Sequence, residues 1–371
     1  MVIKIPDKSN KPVTQKEYPV ILRMGHTFET SLGHRNYFPG IANGALDFAF
    51  GGDDWHYVLC KAEREGAVGF RPRVHIAPVN FEDEYKPHIY LTVDGKSEQR
   101  ESEKLPSPAM FDSDKKDTLF MTDEHANKIA LISKDGNVQS YWGEPGDGPG
   151  ELNAPSGIEW QPDDTLWVVS TRSSRVQQFT RDGKYIRGFG EFGTEPGQLN
   201  YPWGVAFDHI SNHVLVADWR NDRVQRFTPE GELVHIIDSL GPEKEPLKRP
   251  ADVAVDAHGD VYITDRGNDR VVQFNHRGLF IESLIGDATM TERGANRLMS
   301  NPDMLRWRDY IPDLEREKRL WRPSALKIDD QFRIFILDAA RFRMQVYKKK
   351  FRELQPDQID PIETYTDPKI N

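Results

Sequence analysis

The sequence predicts an all-β protein, a closed six-bladed β-propeller of four-stranded blades. Three observations lead there. A unit recurs, with the matched aspartates Asp218 and Asp265 lying 47 residues apart, a spacing that belongs to repeat architectures. Each unit holds four short β-rich runs, here strands a to d, separated by Gly, Asp and Asn turns, as in a propeller blade. The last unit lacks its fourth run, while an unassigned run of the same kind stands near the N-terminus.

That N-terminal run, EYPVILRMG at 17–25, matches the outer runs KYIRGFG and LFIESLIG of complete units. It is expected to complete the last blade and latch the ring, removing the unpaired sheet edges of an open array. The first and most divergent blade covers about 44–93, where GALDFAF, WHYVLC, RVHIAPV and HIYLTVD supply strands a to d. The second covers about 108–142. Three units then align with little adjustment, at about 155–190, 202–240 and 250–286. Strand a of these (GVAFD, DVAVD) is short and apolar because it lies nearest the axis. Strand c (RVQRF, RVVQF) alternates apolar and polar, as a half-exposed strand should. The last blade combines 323–355 with 17–25, after a partly helical insertion at 287–322. Residues 1–16 and 356–371 read as tails of a single domain at 17–355.

The runs PWGVAFD…VLVADWRNDRVQRF, from Pro202, and PADVAVD…VYITDRGNDRVVQF, from Pro250, resemble NHL repeats. The resemblance is strong over 108–287, fair at 323–347 and weak at 17–93. It implies the propeller fold but no single reaction, since the family includes lyases, RNA binders and protein scaffolds. In the peptidylglycine α-amidating lyases, which are related in fold, histidines just after the proline opening strand a hold zinc. Here those slots carry Ala109, Ser156, Trp203, Ala251 and Ser324, so that zinc site is not carried over.

Composition narrows the function classes. The chain of 371 residues carries 59 acidic and 49 basic residues, a net charge of -10 that opposes non-specific binding to nucleic acid. Cys60 is the single cysteine, so no disulfide forms within the chain. The N-terminus has no signal-peptide core and no stretch is long and apolar enough for a membrane span. The expected location is the cytoplasm. No P-loop, GxSxG, HExxH or strand–helix GxGxxG is present, and no nucleotide or organic cofactor is expected.

In a four-stranded blade the b–c and d–a loops share one face, here called upper; the a–b and c–d turns share the lower. The lower turns are short. The long excursions at 25–43, 61–73, 94–107 and 287–322 all fall on the upper face, where a binding site is therefore expected. Aspartates ending strand b (Asp123, Asp218, Asp265, Asp338) are candidates for that mouth. Asp218 and Asp265 sit in a D-x-x-N-x-R pattern that gives them a structural role; Asp252 is off that pattern and is a catalytic candidate. His26, His34 and His125 are the upper-rim histidines, suited to general-base work. Arg71, Arg172, Arg220, Arg266 and Arg341, with Trp203 and Tyr37, are substrate-binding candidates, since guanidinium groups pair with planar anions. The same arginines suit salt bridges between blades. The converging acids leave room for one divalent metal ion at the axial mouth, of undetermined ligands. The expected function is an enzyme of lyase or hydrolase type acting on a small anionic metabolite at the upper mouth. The alternative is a protein-interaction scaffold, or a homo-oligomer, using the long-loop face and Trp307, Tyr310 and Trp321 of the insertion.

Overall fold

In a computed structural model of the chain, six four-stranded antiparallel sheets follow one another in sequence order. The structure describes residues 17–33, 44–62, 73–92, 105–241, 244–289 and 312–355, with short stretches between 295 and 310 and residue 358. Strands a are Ala45–Phe50, Pro108–Ser113, Pro155–Trp160, Pro202–Asp208, Pro250–Val255 and Ala325–Ile328 in blades 1 to 6. Each contacts strand a of the next blade, and Ala325–Ile328 contacts Ala45–Phe50, which closes the circle.

Closure is made as the sequence predicts. The sixth sheet has the N-terminal strand Ile21–Leu32 on its outer edge, paired with Arg343–Glu353 from Ile21↔Glu353 to Leu32↔Met344. This strand is longer than the expected run. Its β-favouring continuation HTFETSL follows an 11-residue strand c that offers partners along its whole length. His26 therefore stands in a strand, where a loop was expected. The 287–322 insertion contains the short helix Glu315–Lys318.

The core is divided among the blade interfaces. Between blades 3 and 4, for example, Trp167, Val169, Val176 and Phe189 pack with Val205, Val214, Val216 and Phe227. Each such side chain contributes roughly 1.5–3 kcal/mol on burial. The D-x-x-N-x-R pattern fixes the upper ends of blades 4 and 5. Asp218 accepts from the Asn200 N–H at 2.7 Å, Asn221 Nδ2 at 2.8 Å and Arg223 Nε at 2.9 Å. Asp265 does the same with Lys248, Asn268 and Arg270. In blade 6, Asp338 pairs with Arg343 at 2.8 Å. These aspartates are fully buried and spent on the backbone and their own arginines. Among the described residues no helix is long and apolar enough to cross a membrane.

Candidate functional site

Side chains alternate along a strand, so positions two apart in each strand a share a face. Counting from the end of strand b, the ladder registers place Asp47, Met110, Gly157, Gly204, Asp252 and Ala325 at one level. Ala49, Asp112, Glu159, Ala206, Ala254 and Lys327 share the next level toward the lower face. Asp47, Met110 and Asp252 of the first level, with Asp112, Glu159, Ala206, Ala254 and Lys327 of the second, line an axial cavity of about 150 Å³. Its walls run from Asp47 and Asp252 down to Lys115, Pro162 and His209 in or beside the a–b turns, and among the described residues no upper-loop residue joins them. The described cavity thus lies toward the short-turn face, whereas loop length placed the site at the upper mouth. Short turns leave the axis uncovered there.

Four carboxyl groups and one amine converge in this cavity. Three of the carboxyls join neighbouring blades. Asp47 accepts from the N–H groups of Phe48 and of Phe111 in blade 2, both at 2.8 Å. Asp112 accepts from Trp160 of blade 3 at 2.7 Å. Asp252 accepts from Val253 at 2.9 Å and from Leu326 of blade 6 at 3.0 Å. Room for Asp252 depends on its neighbour: a Cβ at Gly204 would lie 2.4 Å from Asp252 Oδ1. Lys327 Nζ approaches Asp112 Oδ1 at 3.3 Å, with the two side chains 16% and 14% exposed, so protein surrounds the pair but channel water reaches it.

Enclosure sets the protonation states. Burial pushes Glu159 up to about 8, and the neighbouring Asp112 adds to the rise while Lys327 opposes it. Asp252 is raised to about 7 by burial and by Asp47, and Asp47 to about 6 by burial against the pull of Lys327. For Lys327 burial works to expel the proton, but Asp112, Asp47, Glu159 and Asp252 outweigh it and hold the ammonium charged. Near neutral pH the cavity therefore contains a carboxylic acid, carboxyls poised to exchange protons, and a fixed cation.

Comparison with known proteins agrees with this architecture. Residues 147–240 match the SMP-30/gluconolactonase/LRE-like region, and residues 247–274 match the NHL repeat. The chain is a six-bladed β-propeller with an NHL repeat at 247–274. No curated protein matches its sequence. Among solved structures it resembles a chain of a nidogen/laminin complex, at 19% identity and a TM-score of 0.50, over 70% of this chain and 92% of that one. A virginiamycin B lyase from Staphylococcus aureus is 14% identical with a TM-score of 0.49, over 87% and 99% of the two chains. A streptogramin B lyase is 12% identical with a TM-score of 0.48, over 88% and 99%. These likenesses concern the fold.

The propeller separates the residues singled out from sequence. Asp252 lies in the axial cavity. His125 is an exposed b–c turn residue whose N–H donates to Asp123 at 3.0 Å. His26 has a side chain only 2% exposed, between Glu282 and Tyr262, in the strand Ile21–Leu32 where the sequence assigned it to an upper-rim loop. His34, Tyr37 and Arg71 lie outside the described residues. Arg172, Arg220, Arg266 and Arg341 are on the upper face. Arg220 stacks over Tyr201 at 3.7 Å, and Arg266 and Arg341 stand 5.9 and 5.7 Å from the rings of Trp203 and Trp321. Among the described residues no group of three or more His, Cys, Asp or Glu is placed to hold a metal ion.

His26 belongs to a buried Arg/Asp/His network that latches blade 6 to blade 5. Tyr262 links His26 at 3.3 Å to Asp256 at 3.4 Å. Lys349 pairs with Asp256 at 2.5 Å and Asp260 at 2.8 Å, and Arg23 Nε reaches Asp260 at 2.8 Å. Sequence reasoning passed over Asp47, Asp112, Glu159 and Lys327. The available signal was positional, because FDS, IEW and LKI put a charge where strands a of blades 4 and 5 carry Ala206 and Ala254.

Proposed function

We propose that the protein is an enzyme of the lyase or hydrolase class that performs proton transfer on a small polar metabolite in the axial cavity. The observation that carries this reading is the position of Glu159 and Lys327. Asp47, Asp112 and Asp252 are used to join blades, whereas no hydrogen bond engages the Glu159 carboxyl among the described residues, and Lys327 meets only Asp112. Glu159 thus makes no bond between blades, and Lys327 contributes a single ion pair across the cavity, to Asp112. Glu159 has the protonation state of a general acid at neutral pH, and Asp252 that of an acid–base partner. Lys327 supplies a cation to stabilise negative charge developing on a substrate oxygen. With these carboxyls around one amine, the substrate matched to this cavity is polar or zwitterionic; the purely anionic one expected from the sequence suits it less.

The test is a screen of lactones, esters and β-elimination substrates with the wild type, Glu159→Gln and Lys327→Met. Turnover of at least one class is expected, lost by at least about a hundredfold in Glu159→Gln with folding intact. Turnover that survives both substitutions would assign the chemistry elsewhere. A scaffold function draws support from the insertion, where Met299, Tyr310 and Trp321 are 72%, 82% and 48% exposed. A partner or second copy that protects those side chains without affecting turnover would add that role.

A further inference from the structure

We propose that Arg249, Arg266 and Arg322, on the upper face of blade 5, form a binding site for a compact oxyanion carrying two negative charges. The site is distinct from the axial cavity, whose described walls include no upper-loop residue.

The repeat itself brings these arginines together. Arg249 and Arg322 immediately precede Pro250 and Pro323, the residues at the entrances to blades 5 and 6, and Arg266 follows the buried Asp265 between them. Arg249 and Arg322 are in the left-handed backbone region, at φ 48° and 53°. Their N–H groups donate to Asp222 and Asp269 of the preceding blade at 2.7 and 2.8 Å. Ala154 and Tyr201 occupy the same slot in blades 3 and 4 with φ 51° and 52°. The backbone is therefore the repeat's, while the arginine side chains are particular to this corner.

Those side chains gather without an ion-pair partner among the described residues. Among the described residues Arg223, Arg270 and Arg343 of the same upper corners each pair with an aspartate of their own blade, whereas no ion pair engages Arg249, Arg266 or Arg322. Asp222 and Asp269 each commit an oxygen to a backbone N–H. Arg266 Nε is buried with no acceptor. Burial, then the charges of Arg322 and Arg249, weaken the hold of Arg266 on its proton, and Asp269 only partly compensates. Like charges held together with an unused donor lower stability unless an anion joins them. Guanidinium groups bind two oxygens of one anion side by side. Trp203 and Trp219 flank the site, 5.9 Å from Arg266 and 5.2 Å from Arg249, and report on it by fluorescence.

The experiment titrates the full chain with inorganic phosphate, and separately with malonate, followed by tryptophan fluorescence and calorimetry at constant ionic strength. Saturable binding of one dianion or both is expected, with phosphate alone indicating phosphate-ester ligands and malonate alone dicarboxylates. Arg266→Gln and Arg322→Gln should each weaken it by roughly tenfold or more, while Glu159→Gln leaves it unchanged. Because the unoccupied cluster repels itself, both arginine variants should keep or raise the Tm, whereas Arg223→Gln, which breaks a buried pair, should lower it. Absence of saturable binding by either anion would overturn the proposal. So would unchanged affinity in both arginine variants, or a loss of Tm in them equal to that of Arg223→Gln.

Discussion

Glu159 shows how one residue in a repeat can depart from its structural job. Its counterparts in blades 1, 4 and 5 are Ala49, Ala206 and Ala254, so the blade does not need a carboxyl there. Placing one beside Asp112 makes the folded protein hold a proton that the unfolded chain releases. Between about pH 6.5 and 8 the folded state, through Glu159 near 8 and Asp252 near 7, binds more protons than the unfolded chain. Stability therefore falls as pH rises across that window. Buried histidines such as His56, lowered to about 4, act in the opposite direction, but only below their ordinary value of 6.5. Thermal melts from pH 6.5 to 8 should show a declining Tm, and Glu159→Gln should flatten the decline. A second residue tests the packing of the same cavity. Gly204→Ala would push a methyl group against Asp252 and, at 2.9 Å, against the Ala251 carbonyl. Urea denaturation should register a loss of about 1–3 kcal/mol.

At the scale of elements, the N-terminal strand carries the closure. It ties blade 6 together along Arg343–Glu353 and anchors it to blade 5 through Arg23 and His26. Lys349 is the centre of that anchor, 3% exposed and paired with two aspartates. Lys349→Met leaves Asp256 and Asp260 buried without their shared cation, at a cost of about 3–5 kcal/mol measured by chemical denaturation. Removing residues 17–32 would uncover the edge of Arg343–Glu353, and analytical ultracentrifugation should then show association between chains. The closing strand was legible in sequence because its alternation matched other outer strands. Its true length was not, because HTFETSL reads equally as a polar loop until an 11-residue partner is placed beside it.

For the whole molecule, the repeat made the architecture readable and hid the site. Each D-x-x-N-x-R turn fixes a blade by local bonds, so Asp218 and Asp265 announce both the fold and their own structural role. The axial cavity is built by residues far apart in sequence, from Asp47 to Lys327, which meet only when six blades close into a ring. Asp252 could be singled out as an odd residue in its repeat; Asp112, Glu159 and Lys327 become a set only once the strand registers are known. Loop length pointed to the upper face, and there the ring does gather Arg249, Arg266 and Arg322. The axial carboxyls and Lys327 lie toward the other face. The most direct test of this account is the titration of Glu159 itself, by carboxyl-carbon NMR of wild type against Glu159→Gln. A Glu159 resonance that remains protonated at pH 7 and titrates near 8 is the result expected; titration near the ordinary value of 4.5 would contradict an axial general acid.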